Sequence, residues 1–144
     1  MIKVLNDATG GHLLLWKVLL TSIVLALAGL QVAVAARFWG RPSLLAVSPG
    51  TAVRIHRTSG RLALTLGVIV ALTCIVGPAG PLSPTRVALH SIFGILVFVI
   101  LAAKFLVLKV LRTGGDALPF IGSALFLAFG AIWATSVADY VASK

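Results

Sequence analysis

Four apolar runs, each long enough to cross a bilayer, take up most of this chain and leave little else to fold. They extend from Leu13 to Ala36, from about Arg54 to Val76, from about Thr85 to Val110 and from about Leu118 to Val141. A run of roughly 20 apolar residues crosses a hydrocarbon core of about 30 Å. Inside that core no water is available to backbone N–H and C=O groups, so each run must satisfy its own hydrogen bonds as a helix. The expected fold is therefore all-α: an integral membrane, up-and-down four-helix bundle forming a single domain over residues 1–144. With 60% hydrophobic and only 10% charged residues, the composition lies outside the soluble globular range. There is no room for a soluble catalytic domain, so the chain is not expected to be an enzyme alone. Any chemistry falls between the helices or at their ends.

The formal net charge of +9 does not indicate nucleic acid, because the basic residues flank the apolar runs instead of gathering on a polar face. Arg37, Arg41, Arg54, Arg57 and Arg61 surround the first connection, and Lys109 and Arg112 belong to the third, against Lys3, Arg86 and Lys144 on the other side. The positive-inside rule then gives a multi-pass protein of the cell membrane with both termini outside. "AVAA" after the first run looks like a cleavage site, but that run exceeds the roughly 7–15 residues of a signal-peptide core, so a retained helix is expected. The single cysteine, Cys74, excludes an internal disulfide, a CxxC metal site and covalent c-type haem.

The connections read as turns. In "NDATGG", Asp7 or Thr9 is a candidate cap for the first helix. "FWGRPSLLAVSPGT" is rich in loop residues and is expected to run along the inner membrane surface. "GPAGPLSPT" is short enough to make the second and third helices an antiparallel hairpin, and "RTGGDALP" pairs the third with the fourth. Helical spacing then defines inward faces. They are Lys17, Thr21, Val24, Ala28 and Gln31 on the first helix, and His56, Gly60, Ala63, Gly67, Ala71 and Cys74 on the second. On the third they are His90, Gly94, Val97, Leu101 and Lys104, and on the fourth Ala124, Ala128, Ala131, Thr135 and Asp139.

Two of these stripes begin with the same motif, a histidine followed four residues later by a glycine: His56 with Gly60, and His90 with Gly94. A haem b between transmembrane helices needs neutral imidazole ligands and a helix face with small side chains, and the motif meets both needs. The competing account is a histidine hydrogen-bonded at the interface beside a packing glycine. Because the two helices run in opposite directions, His56 and His90 belong at opposite membrane surfaces and cannot ligate one iron. On the side of His90 a partner is available in His12. For His56 none is visible, although Arg57 and Arg61 could pair with haem propionates, as well as serving the positive-inside rule. His90 could instead hydrogen-bond Ser91 or Thr73.

Lys17 and Lys104 lie within spans, where a charge is costly and functional by default. An ion pair with Asp139 is the simple account of Lys17, and snorkelling that of Lys104. The only acids are Asp7, Asp116 and Asp139, so no run of carboxylates exists for an ion pump. No proline interrupts a span, as discontinuous transport helices often require.

At "LNDATG", "HRTSGRLA", "RVALHSIFG", "AAKFLVL", "ALPFIGSALF" and "WATS" the chain resembles a family of small, functionally unassigned actinobacterial four-helix membrane proteins, over nearly its whole length. The family pattern has His-Arg-aromatic-Ser-Gly at His56 to Gly60, a His-Ser with a following glycine at Leu89 to Gly94, and a lysine at Lys104. It carries further histidines where this chain has Thr73 and Asn6. The plan is also similar to transmembrane b-type cytochromes and ferric-reductase-like domains, which implies membrane electron transfer. The resulting expectation is a haem b electron-transfer protein with candidate residues His90, His12, His56, Gly94, Gly60, Arg57 and Arg61. It would lie among membrane lipids as a small subunit or partner of a larger oxidoreductase. A haem-free structural or accessory subunit of a membrane complex is the alternative.

Overall fold

A computed structural model describes residues 7, 9–39, 45, 47–76, 84–111 and 115–142, apart from the side chains of Leu111, Asp139 and Ala142. Four helices traverse the molecule: α1 (Leu13–Ala35), α2 (Pro49–Val76), α3 (Pro84–Leu106) and α4 (Leu118–Ala142). A tight turn of 3₁₀ helix, Ala36–Trp39, extends α1, a wider π turn, Val107–Leu111, extends α3, and the short turn Gly115–Ala117 leads into α4. All four are long and apolar enough to cross a membrane. The protein is thus a multi-pass, all-α membrane bundle that contacts lipid, with Ile75 at 80%, Phe120 at 77% and Leu127 at 69% exposed on its outer surface.

The helix starts show why sequence boundaries shift. "SPGT" reads as a loop, yet α2 begins at Pro49, five residues before the expected Arg54. Ser48 is its cap: its Oγ accepts the Thr51 N–H at 3.3 Å and its carbonyl accepts the Ala52 N–H at 2.9 Å. Pro49 occupies the first helical position, where a missing N–H costs nothing, and Pro84 does the same for α3. Neither Asp7 nor Thr9 caps α1. That position belongs to His12, which makes no side-chain cap bond. Before it, Gly10 and Gly11 turn the chain at φ of 59° and 81°, values that favour glycine.

α1 is the central post. Its stripe of Leu13, Thr21, Val24, Ala28 and Val34 is buried, and it packs against both α2 and α4, while α4 in turn packs against α3. Each packed pair has a polar clasp. Between α1 and α2, Gln31 Nε2 donates to the His56 carbonyl at 2.6 Å and to Ser59 Oγ. Between α1 and α4, Trp133 Nε1 donates to Ser22 Oγ at 2.8 Å. Between α3 and α4, His90 meets Thr135 at 2.9 Å and Arg86 donates to the Ala138 carbonyl at 3.3 Å.

One expectation about packing is corrected. α2 and α3 follow each other in the chain, but the described parts of the two helices hardly approach one another. The α2 stripe consists mostly of small residues, and the described side chains leave the space between α2 and α3 unfilled. The predicted inward face of α4 is also offset: Ala128 is buried, but Ala124 is exposed, and Phe126, Phe129 and Ile132 face the interior space instead.

Candidate functional site

The gap between α2 and α3 holds two cavities, of about 460 Å³ and about 630 Å³. Ala63, Leu64, Leu101 and Phe129 border both, so the cavities are stacked end to end. Nearly the whole predicted stripes of α2 and α3 line them. Gly67, Ala71, Cys74, His90, Gly94 and Val97 belong to the first, and His56, Gly60 and Lys104 to the second. His90 lies eleven residues from Leu101 and His56 seven from Ala63, in opposite directions from the shared level. At about 1.5 Å per residue the imidazoles stand roughly 27 Å apart along the bundle, so the two cannot share one iron.

The two histidine motifs prove to be built differently. In the His90 cavity, Thr135 Oγ1 donates its single proton to the Ile132 carbonyl at 2.8 Å. The same oxygen lies 2.9 Å from His90 Nδ1, and while its proton is on the carbonyl the ring is the donor in that contact. In that arrangement Nδ1 carries the proton, the tautomer in which a metal-binding imidazole is held by a neighbouring acceptor. Thr135, and neither Ser91 nor Thr73, is this partner; the Thr73 hydroxyl donates to the Val70 carbonyl at 2.8 Å. A Cβ at Gly94 would meet nothing within 4 Å, so this glycine opens directly onto space. Cys74 borders the same cavity from the α2 wall, opposite His90 on α3.

In the second cavity, the glycine has another use. A Cβ at residue 60 would lie 3.2 Å from Gln31 Oε1. Gly60 thus provides the seat for the Gln31 amide that clasps the His56 carbonyl. The His56 ring stands edge-on to Phe38, with centroids 5.6 Å apart at 85°. Its Nδ1 is buried with no hydrogen-bond partner among the described residues. Lys104 borders this cavity too, as do Trp39 and Ser123. Among the described residues no group of three or more His, Cys, Asp or Glu side chains forms a metal site.

The remaining sequence candidates do not join either cavity. His12 is exposed at the start of α1 and is not among the residues lining the His90 cavity. Arg57 and Arg61 are exposed and lie outside the wall that carries His56. The proposed Lys17 partner Asp139 has its side chain outside the described residues, as do Lys3, Asn6, Arg41, Arg112 and Lys144. Sequence reasoning missed Cys74 and Thr135 as neighbours of His90. Both were on predicted inward stripes, so the signal was present, but spacing along one helix does not reveal what lies across a gap.

The donor set of the His90 cavity suits a haem: an imidazole anchored by Thr135 on one wall, a thiol on the other, and glycines at 67 and 94 in walls that are otherwise mainly apolar. The His56 cavity fits less well, because it offers one imidazole and its motif glycine is already covered by Gln31.

The chain belongs to a family of unknown function, DUF6529, whose sequence profile matches residues 4–144. No curated protein and no solved structure matches it.

Proposed function

We propose that this DUF6529 protein is a membrane-embedded haem b electron-transfer protein, acting as a small subunit or partner of a larger redox assembly. The observation that carries the reading is the His90–Thr135–Ile132 relay, which anchors an imidazole beside a cavity bordered by small residues. Haem would supply the one-electron couple when bound. The chain's own part is to orient and insulate. His90 would hold the haem, Thr135 anchors its ring, and Gly67 and Gly94 leave space for a flat group. Val70, Val97 and Ile132 keep water out. Cys74, which lines the same cavity, would be the second side chain to hold the haem, in preference to the exposed His12. Haem measured as its pyridine haemochrome in purified, haem-replete protein is expected at about one per chain. A trace amount, unchanged by haem supplementation, counts against this reading.

The gap between α2 and α3 favours one other reading, a haem-free accessory subunit whose groove is filled by a helix of a larger membrane chain. In that case the purified complex carries no haem, and the isolated chain is unstable without its partner.

The distribution of Arg37, Arg54, Arg57 and Arg61 supports a topology with both termini outside the cell membrane. In a Cys74→Ser background, cysteines placed in "GPAGPLSPT" should then react with an impermeant thiol reagent from outside, and those in "RPSLLAVSPG" should be protected. The opposite pattern inverts the topology.

A further inference from the structure

We infer that the cavity lined by Lys104 and His56 is a binding site for one anionic phospholipid, with its phosphate on Lys104 and an acyl chain lying in the gap between α2 and α3. This site is separate from the haem reading and does not depend on it.

Lys104 is half-buried on an apolar wall. No carboxylate lines this cavity, and among the described residues no acid pairs with the ammonium. Asp116 is exposed in the turn before α4 and stays off the wall. A cation kept inside a span without a counter-charge is costly, so the site calls for an anion from outside the chain. The other polar groups at this level are the Ser123 hydroxyl and the His56 ring, while both protons of the Gln31 amide are already committed to α2.

Depth selects a lipid head group. The apolar span of α3, Pro84–Val110, has 27 residues, or about 40 Å of helix against a core of about 30 Å, so each end overhangs by roughly 5 Å. Lys104 is six residues from Val110, about 9 Å down, and therefore about 4 Å below the core boundary. A lysine stem spans that depth and puts its ammonium at the level of lipid phosphates. The exposed Arg54 and Arg57 at the same end of α2 favour anionic lipid around the opening. From there Leu64, Leu101 and Phe129 continue the apolar wall towards the His90 cavity, giving an acyl chain a path. Because α2 and α3 do not pack together, that path is open from the side, where a lipid would enter.

The test is a titration of delipidated, full-length protein in detergent, read by native mass spectrometry. The probes are palmitoyl-oleoyl phosphatidylglycerol, phosphatidylcholine with the same chains, and palmitate. One phosphatidylglycerol should bind per chain, more tightly than either competitor. Lys104→Met should weaken it by about tenfold or more, the worth of one charge-assisted contact, and Lys104→Arg should retain it. Gly122 lines this cavity with nothing within 4 Å of a Cβ, so Gly122→Leu should also exclude the lipid while keeping Lys104. This second variant tests the site should the Lys104→Met protein fail to fold. Trp16→Ala, at an exposed position of α1 that lines neither cavity, should bind as wild type does. Undiminished binding in Lys104→Met or Gly122→Leu overturns the proposal. So does phosphatidylcholine or palmitate binding as tightly as phosphatidylglycerol.

Discussion

The His90 and His56 cavities start from the same four-residue spacing of histidine and glycine and put it to different uses. At His90 the ring is anchored to α4 by Thr135 and the glycine opens onto space. At His56 it is the backbone carbonyl that is used, by Gln31 from α1, and the glycine makes room for that amide. The neighbouring helix decides which applies. Where α1 packs directly against α2, the motif becomes a packing joint. Where α3 faces a gap, the same motif becomes a candidate ligand site. A glycine four residues from a histidine is thus informative only together with what fills the space above it.

The sharpest way to break this contrast is to remove each imidazole. His90→Ala is expected to abolish haem retention, and His56→Ala to leave the haem spectrum as it was; equal losses would make the cavities equivalent. Next in size is obstruction. Gly94→Leu projects a side chain into open space and should displace haem while leaving Tm at that of the haem-free wild type, so a fall in Tm with haem retained contradicts the assignment of that glycine. Thr135→Val removes the hydroxyl that anchors the His90 ring, and loss of such a supporting bond typically lowers affinity about 10- to 100-fold. That loss is measurable by haem transfer to an apo-globin acceptor.

On the packing side, the effects are on stability. Gly60→Ala drives a methyl group against Gln31 and should cost about 1–3 kcal/mol, the penalty for disturbing a satisfied buried polar group, with no change in haem content. Gln31→Leu should cost less, about 0.6–1.7 kcal/mol, as expected for interhelical hydrogen bonds in membranes. Both are checked by unfolding in mixed micelles. A change in the haem spectrum of either variant would mean that the two ends of the gap are coupled.

Much of this was legible in the sequence. Length and hydrophobicity dictate four spanning helices, since a bilayer offers few other solutions. The inward stripes of α1, α2 and α3 could be read from helical periodicity because the small and polar residues recur every three or four positions. What periodicity lacks is information about neighbours. A short connection forces α2 and α3 to run antiparallel but does not make them touch, and two cavities lie where close packing was expected. The start of α2 was hidden because Ser48 and Pro49 serve equally well in a loop and in a helix cap. His12 looked like a partner for His90 because it belongs to the same end of the bundle, yet it sits before the first turn of α1, exposed and off the cavity wall.

The claim that a haem occupies the His90 cavity is tested most directly by the reduced-minus-oxidised visible difference spectrum of the purified, haem-replete protein. A Soret and an α band that are present in the wild type and absent in His90→Ala are the expected result. A featureless wild-type spectrum, or bands that persist unchanged in His90→Ala, would contradict it.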